Sequence, residues 1–193
     1  MKSNFIEAVK CGVKSLFSSQ KIDERKISKH AIEIIKVLQK NNYEAYIVGG
    51  AIRDILMDKN PKDFDIATNA TPEQIRHLFR RSRIIGRRFK LVHVIDGRDI
   101  IEVSTFRAQP HNKEVMSNGV TKDNEYGTLK EDAERRDFTC NSIYYNPATR
   151  KVIDFYGGVK DIKEKKLSMI GDPKTRFDED PVRILRAIRF SAK

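Results

Sequence analysis

The run Val48-Gly49-Gly50-Ala51-Ile52-Arg53-Asp54, followed by Lys62-Asp63-Phe64-Asp65-Ile66-Ala67-Thr68, decides how this chain is read. Tyr43 to Val48 have the pattern of a strand, and the two glycines end it. Ala51 to Met57 suit a short helix, Asp58 to Pro61 a turn, and Asp63 to Thr68 alternate as a second short strand. Paired glycines between strand and helix let backbone N–H groups approach a phosphate closely, and the helix N-terminus adds favourable partial charge. Arg53, one turn into the helix, could grip a triphosphate through its fork of donors. Standing alone, the same residues also read as a tight turn beside a solvated arginine.

The second half of the run carries the stronger chemistry. A strand repeats every two residues, so Asp63 and Asp65 share one face while Phe64 and Ile66 point to the core. Glu102 lies in another predicted strand, flanked by Ile101 and Val103 pointing the other way. If the two strands are neighbours, three carboxylates converge, which is costly unless a cation is present. Magnesium suits such a set because it prefers hard oxygens and keeps waters or substrate phosphates in its shell. Two such ions could activate a 3′ hydroxyl and neutralise a leaving pyrophosphate. An isolated Asp-x-Asp is a weak signal, since most examples are surface strand or turn residues.

Working outward, Ser28 is a helix N-cap before Ala31, Ile34, Ile35 and Leu38 at helical spacing, and Asn41-Asn42 stop that helix. Thr71-Pro72-Glu73-Gln74 and Thr128-Leu129-Lys130-Glu131 are capping boxes, opening helices to about Phe79 and Arg136. Leu91–Ile95, an Asp96-Gly97 turn and Ile100–Thr105 predict a hairpin. Gln109 to about Gly127 is polar and aperiodic, an exposed loop. Phe138–Tyr145 and Lys151–Tyr156 read as strands around Asn146-Pro147, Val159–Glu164 as a helix, and Asp180-Pro181 as the start of a final helix with Val182, Leu185 and Ile188 on one side.

The 193 residues suit one compact domain with the start of another. Hydrophobic residues at 39% and charged residues at 34% describe a globular domain, not a disordered chain. Lys plus Arg (38) exceed Asp plus Glu (27), a net charge of +11 that points to polyanions or to a basic, charge-solubilised surface. Cys11 and Cys140 fit no metal or redox spacing, the four histidines form no ligand pair, and no apolar run approaches membrane-spanning length. The first residues lack a secretory pattern, and a reducing cytoplasm is the expected location.

The glycine–arginine run and the Asp63–Asp65 run together resemble the nucleotidyltransferase motif of class II tRNA nucleotidyltransferases and bacterial poly(A) polymerases. Arg135-Arg136-Asp137-Phe138-Thr139-Cys140-Asn141 resembles their second motif, and Glu179-Asp180-Pro181-Val182-Arg183 their Glu-Asp-x-x-Arg motif. With the Glu102 strand these are four motifs in the family's order, covering roughly residues 43 to 193. The resemblance implies that Asp63 and Asp65 bind Mg²⁺, with Glu102 the third catalytic carboxylate. It implies that Gly49, Gly50 and Arg53 hold the triphosphate, that Arg136, Asp137 and Asn141 contact sugar and phosphates or brace the site, and that Asp180 and Arg183 read the base. The bland reading of that last pair is a helix cap and a solvated helix face.

The stretch Arg83 to Val94, with Gly86-Arg87-Arg88-Phe89, leans towards the poly(A) branch, as do Asp123-Asn124 and Tyr126-Gly127-Thr128. The basic cluster from Arg80 to Lys90, with Arg87, Arg88 and Lys90 the candidate RNA contacts, reads equally as a solvated turn. Against the family pattern, Met57-Asp58-Lys59-Asn60 lacks the usual glycine, and only a first neck helix is present.

The expected fold is α/β of the α+β type, a polymerase-β-like head. It has a mixed, mostly antiparallel sheet of about five strands backed by helices. Residues 1–27 form a lead segment of uncertain order, 28–158 the head (palm), and 159–193 the truncated start of a helical neck. The expected activity is transfer of AMP from ATP to an RNA 3′ end, with no membrane partner. CCA addition to tRNA is the enzyme alternative, and a non-catalytic RNA- or nucleotide-binding fragment is the alternative from another class.

Overall fold

The computed structural model describes residues 17–18, 21–86, 89–97, 99–108 and 126–192. Arg87, Arg88, Asp123, Asn124, nearly all of the polar stretch 109–127 and most of the lead segment lie outside the described residues.

Eight strands form one sheet. In chain order they are β1 (Phe17–Ser18), β2 (Ala45–Val48), β3 (Asp65–Thr68), β4 (Ser82–Ile85), β5 (Leu91–Asp96), β6 (Asp99–Thr105), β7 (Ile143–Asn146) and β8 (Lys151–Asp154). Their spatial order is β1-β8-β7-β2-β3-β6-β5-β4. All neighbours are antiparallel except β3 and β6, which run parallel. The sheet is therefore mixed and mostly antiparallel, as expected, but larger than about five strands. Beyond the six strands read individually from the sequence, the additions are the two edges, β1 and β4. β4 shows no alternation because Arg83, Ile84 and Ile85 are all exposed, which leaves no half-buried pattern to read.

Register positions the site. His93, Glu102, Asp65, Val48 and Tyr144 are successive Cα partners across β5, β6, β3, β2 and β7. Residues opposite one another in a ladder project to the same face, so one row carries the carboxylate pair, the end of the strand before the glycines, and a tyrosine. β3 begins at Asp65, and Asp63 falls just before it. On the opposite face Ile47, Ile66 and Val103 join the main core with Ile34, Ile35 and Leu38. A smaller cluster of Val48, Ala67, Phe106, Ala133 and Tyr144 lies on the site face. β3 is thus buried on both sides beyond Asp65.

The helices follow their caps. α1 (Lys29–Lys40) starts where Ser28 Oγ accepts the Ala31 N–H at 3.3 Å. It buries Ala31, Ile34, Ile35 and Leu38, the apolar stripe of the sequence. α2 (Gly50–Leu56), α3 (Pro72–Leu78) and α4 (Leu129–Glu134) follow, the last two with complete capping boxes. The predicted strand Phe138–Tyr145 divides: Thr139–Asn141 form a 3-10 turn before β7. α5 (Gly158–Lys163) is capped at a distance by Asp154, whose carboxylate accepts the Gly158 and Val159 N–H groups at 3.0 and 2.9 Å.

An unforeseen helix, α6 (Pro173–Glu179), has Asp172 as N-cap and Pro173 in its first turn. α7 (Val182–Ser191) follows. Its Val182, Leu185 and Ile188 are 56%, 68% and 62% exposed. No described helix is long and apolar enough to cross a membrane.

Candidate active site

A cleft of about 850 Å³ opens over the site face of the sheet. It is lined by the Gly49-Gly50 turn, the Asp63–Asp65 segment, the Arg135–Asn141 segment and the start of α7. Nine Arg or Lys and six Asp side chains line it, so its walls attract anions while its carboxylates are grouped to take a cation.

Gly49 sits at φ +78° and ψ −134°, a conformation that side chains resist. It turns the chain from β2 into α2 directly beside the acids. A Cβ there would lie 3.7 Å from Asp65 Oδ2 and 3.6 Å from Arg136 Nη1. Gly49 donates its own N–H to the Ile143 carbonyl at 3.4 Å. The first-turn amides that lack an intrahelical partner therefore begin at Gly50.

Asp63 and Asp65 make no hydrogen bond or ion pair among the described residues. Packing against the protein, then the neighbouring Glu102 charge, hold the Asp65 carboxyl above the ordinary aspartate range. Arg136 opposes this, and Asp63 adds to it. Glu102 is half exposed, outside the cleft lining, and its Oε1 lies 3.3 Å from His93 Nε2.

No three described His, Cys, Asp or Glu side chains form a ready metal cage. Two unengaged carboxylates with a third beside them fit an ion that takes few ligands from protein and the rest from water and phosphate, as magnesium does.

Arg53 is buried at 7% exposure and is not a solvated side chain. It donates from Nη1 to Asn141 Oδ1 at 2.6 Å, and from Nε and Nη2 to Asp54 Oδ1 at 2.9 and 2.7 Å. Two of its five N–H donors remain for a ligand. Asn141 in turn donates from Nδ2 to Asp137 Oδ1 at 3.1 Å, and its carbonyl lies 3.4 Å from Arg136 Nη1. Asp137 also accepts from the Phe138 N–H and from Arg186 Nε.

Arg136 is held by Asp132 and Tyr144, which sequence reading did not single out. Its Nε donates to Tyr144 Oη at 2.9 Å and its Nη2 to Asp132 Oδ2 at 3.1 Å, while Tyr144 donates to Asp132 at 2.7 Å. Burial works against the Arg136 charge. Tyr144 and Asp132 outweigh it, and the pKa stands above the usual arginine value.

At the α7 end, Asp180 ends α6 and its Oδ1 accepts the Val182 N–H at 3.1 Å, one residue ahead of Pro181, the N-cap of α7. Arg183 is pinned to α6, donating to the Arg176 carbonyl at 2.6 Å and to Glu179 Oε2 at 3.0 Å. Both still line the cleft. Lys90 does not: it pairs with Glu73 at 3.3 Å on the surface. Its neighbour Phe89 packs under the Arg107 guanidinium, which lines the cleft.

A mixed sheet with adjacent carboxylates, a strand–glycine–helix turn and a cationic cleft between them define a nucleotidyltransferase head. The chain belongs to the family of poly(A) polymerase head domains, whose model matches residues 45–168. Poly(A) polymerase I of Haemophilus influenzae is 53% identical over 180 residues, covering 89% of this chain and 40% of that protein. The CCA-adding enzyme of a Geobacillus species is 41% identical over 160 residues, covering 83% of this chain and 39% of the relative. Among solved structures, the Bacillus stearothermophilus CCA-adding enzyme in complex with CTP matches with a TM-score of 0.71 at 36% identity, covering 83% of this chain and 38% of that one. The chain thus spans about 40% of the length of these curated relatives.

Proposed function

We propose that this chain is the catalytic head of an enzyme that adds AMP from ATP to RNA 3′ ends without a template. The observation that carries the reading is the placement of two unengaged carboxylates, Asp63 and Asp65, beside the Gly49-Gly50 turn in a cationic cleft. The higher identity to poly(A) polymerase I than to CCA-adding enzymes favours ATP over the CCA sequence. On this reading residues 28–158 are the head and 159–193 begin a helical neck.

In the reaction the RNA 3′ oxygen bonds to the α-phosphorus of ATP, the bond from that phosphorus to the bridging oxygen of pyrophosphate breaks, and the hydroxyl proton goes to solvent. Magnesium held by Asp63 and Asp65 would supply charge neutralisation at the attacking and leaving oxygens. Glu102 adds negative charge behind them. Gly50 and Arg53 bind the triphosphate, Arg136 beside the Gly49 turn adds a second cation, and Asn141, itself held by Asp137, meets both arginines. Asp180 and Arg183 offer acceptors and donors to the base edge, replacing a template. Catalysis by such a site rests on positioning and charge.

Primer extension on a short RNA with Mg²⁺, offering ATP and CTP separately, tests this. ATP addition by the wild type, lost in Asp65→Ala, is the expected result. CTP addition to a tRNA lacking its 3′ end would establish the CCA reading instead. ATP addition that survives Asp65→Ala would overturn the site assignment.

A further inference from the structure

We infer that Arg186 and Phe190, one turn apart on α7, are positioning residues that lock the triphosphate-gripping Arg53 in place, so that the seating of α7 sets nucleotide affinity. The inference rests on the nucleotide-binding reading of the cleft but names residues outside its motifs.

Three polar contacts run in series. Arg186 Nε donates to Asp137 Oδ2 at 2.7 Å. Asp137 Oδ1 accepts from Asn141 Nδ2 at 3.1 Å. Asn141 Oδ1 accepts from Arg53 Nη1 at 2.6 Å. Each link fixes the next: the Asp137 carboxylate, 10% exposed, is oriented by Arg186, and it decides which way the Asn141 amide faces. Only with its oxygen towards Arg53 does that amide accept the guanidinium.

A second path runs in parallel. The Phe190 ring lies 5.0 Å from the Arg53 guanidinium and 5.3 Å from that of Arg186. It also meets Phe138 edge-on, with ring centroids 5.7 Å apart. Residues four apart share a helix face, so α7 reaches the phosphate side of the cleft through one face. The start of the same helix carries Arg183, at the base side. A helix that touches both sides couples them: nucleotide binding and α7 seating bias each other by the same free energy.

The test is equilibrium binding of ATP, and separately of inorganic tripolyphosphate, to the 193-residue chain with Mg²⁺. Arg186→Gln is expected to weaken both ligands about tenfold, within the usual range for coupled sites. Arg53→Gln should do at least as much, and the double variant no more than Arg53→Gln alone, since residues acting in one network are not additive. Arg186→Lys, which keeps the charge, should recover part of the affinity. Leu185→Ala, on the outward face, should bind as wild type. A melting temperature for each variant separates lost contacts from lost folding, and Asp137→Asn replaces Arg186→Gln if that variant does not fold. Unchanged tripolyphosphate binding in Arg186→Gln, or full additivity with Arg53→Gln, overturns the inference alone. A wild type that binds neither ligand overturns the nucleotide-binding reading and the inference with it.

Discussion

Asp65 holds a conflict that a single substitution can expose. Burial and the Glu102 charge raise its carboxyl above the ordinary range in the folded chain. A carboxyl raised by folding keeps its proton more readily in the native state. Its favourable contribution is therefore present at low pH and is lost as pH rises through the unfolded and then the folded value. At neutral pH, without metal, the Asp65 charge destabilises the fold. Asp65→Asn should then melt higher than wild type in chelator at pH 7, with the gap closing below the ordinary aspartate value of about 4. Magnesium should raise the wild-type melting temperature and leave the variant unmoved. A variant that melts lower at pH 7 in chelator would mean that the carboxylate makes a stabilising contact instead. Cys140 illustrates the opposite case of a group without chemistry: burial pushes its thiol up to about 11, which leaves it a small core residue.

At the scale of elements, the contact between α5 and the 3-10 turn matters most for the site. A Cβ on Gly158 would fall within the Thr139 carbonyl, and the turn that begins at Thr139 ends at Asn141. Gly158→Ala should cost about 1–3 kcal/mol in urea unfolding, the usual range for overpacking. It should also weaken ATP binding, by moving Asn141 off Arg53. Lost stability with unchanged ATP affinity would show that the turn can yield without disturbing Asn141.

Elements with local signals were legible in the sequence. Ser28, Thr71 and Thr128 cap as their side chains predict, and the β5–β6 hairpin forms with Asp96 opposite Asp99. β4 was hidden because an exposed edge strand has no buried face to set a period. α6 was hidden because its one buried side chain is Arg176, whose Nη2 donates to the carbonyls of Arg135 and Arg136, so it has no apolar stripe. The acids and the glycine turn were legible because their spacing is short. The Asp132–Tyr144–Arg136 network was not, since a helix residue and a strand residue meet there only once the sheet has formed.

At the scale of the whole molecule, a chain of net charge +11 has, on the proposed reading, to seat a polyanion as long as RNA. The basic run from Arg80 to Lys90 was one candidate, yet its described part lies along the β4 edge and α3, where Lys90 is already paired with Glu73. Arginine on an exposed edge strand also has the ordinary role of discouraging strand-to-strand association. On the proposed reading the cleft offers the better path, because its cations stand beside the carboxylates where a 3′ end would arrive. Arg189 lines it and makes no ion pair or hydrogen bond among the described residues. Each phosphate contact on a single strand contributes about 0.7 to the slope of log affinity against log salt. Titrating a fluorescein-labelled single-stranded RNA across a salt series should therefore show a slope shallower by about 0.7 for Arg189→Ala, and an unchanged slope for Arg83→Ala on β4. The reverse pattern would carry the RNA over the β4 edge towards Phe89 and Arg107, and would return the basic run to the binding role that its charge first suggested.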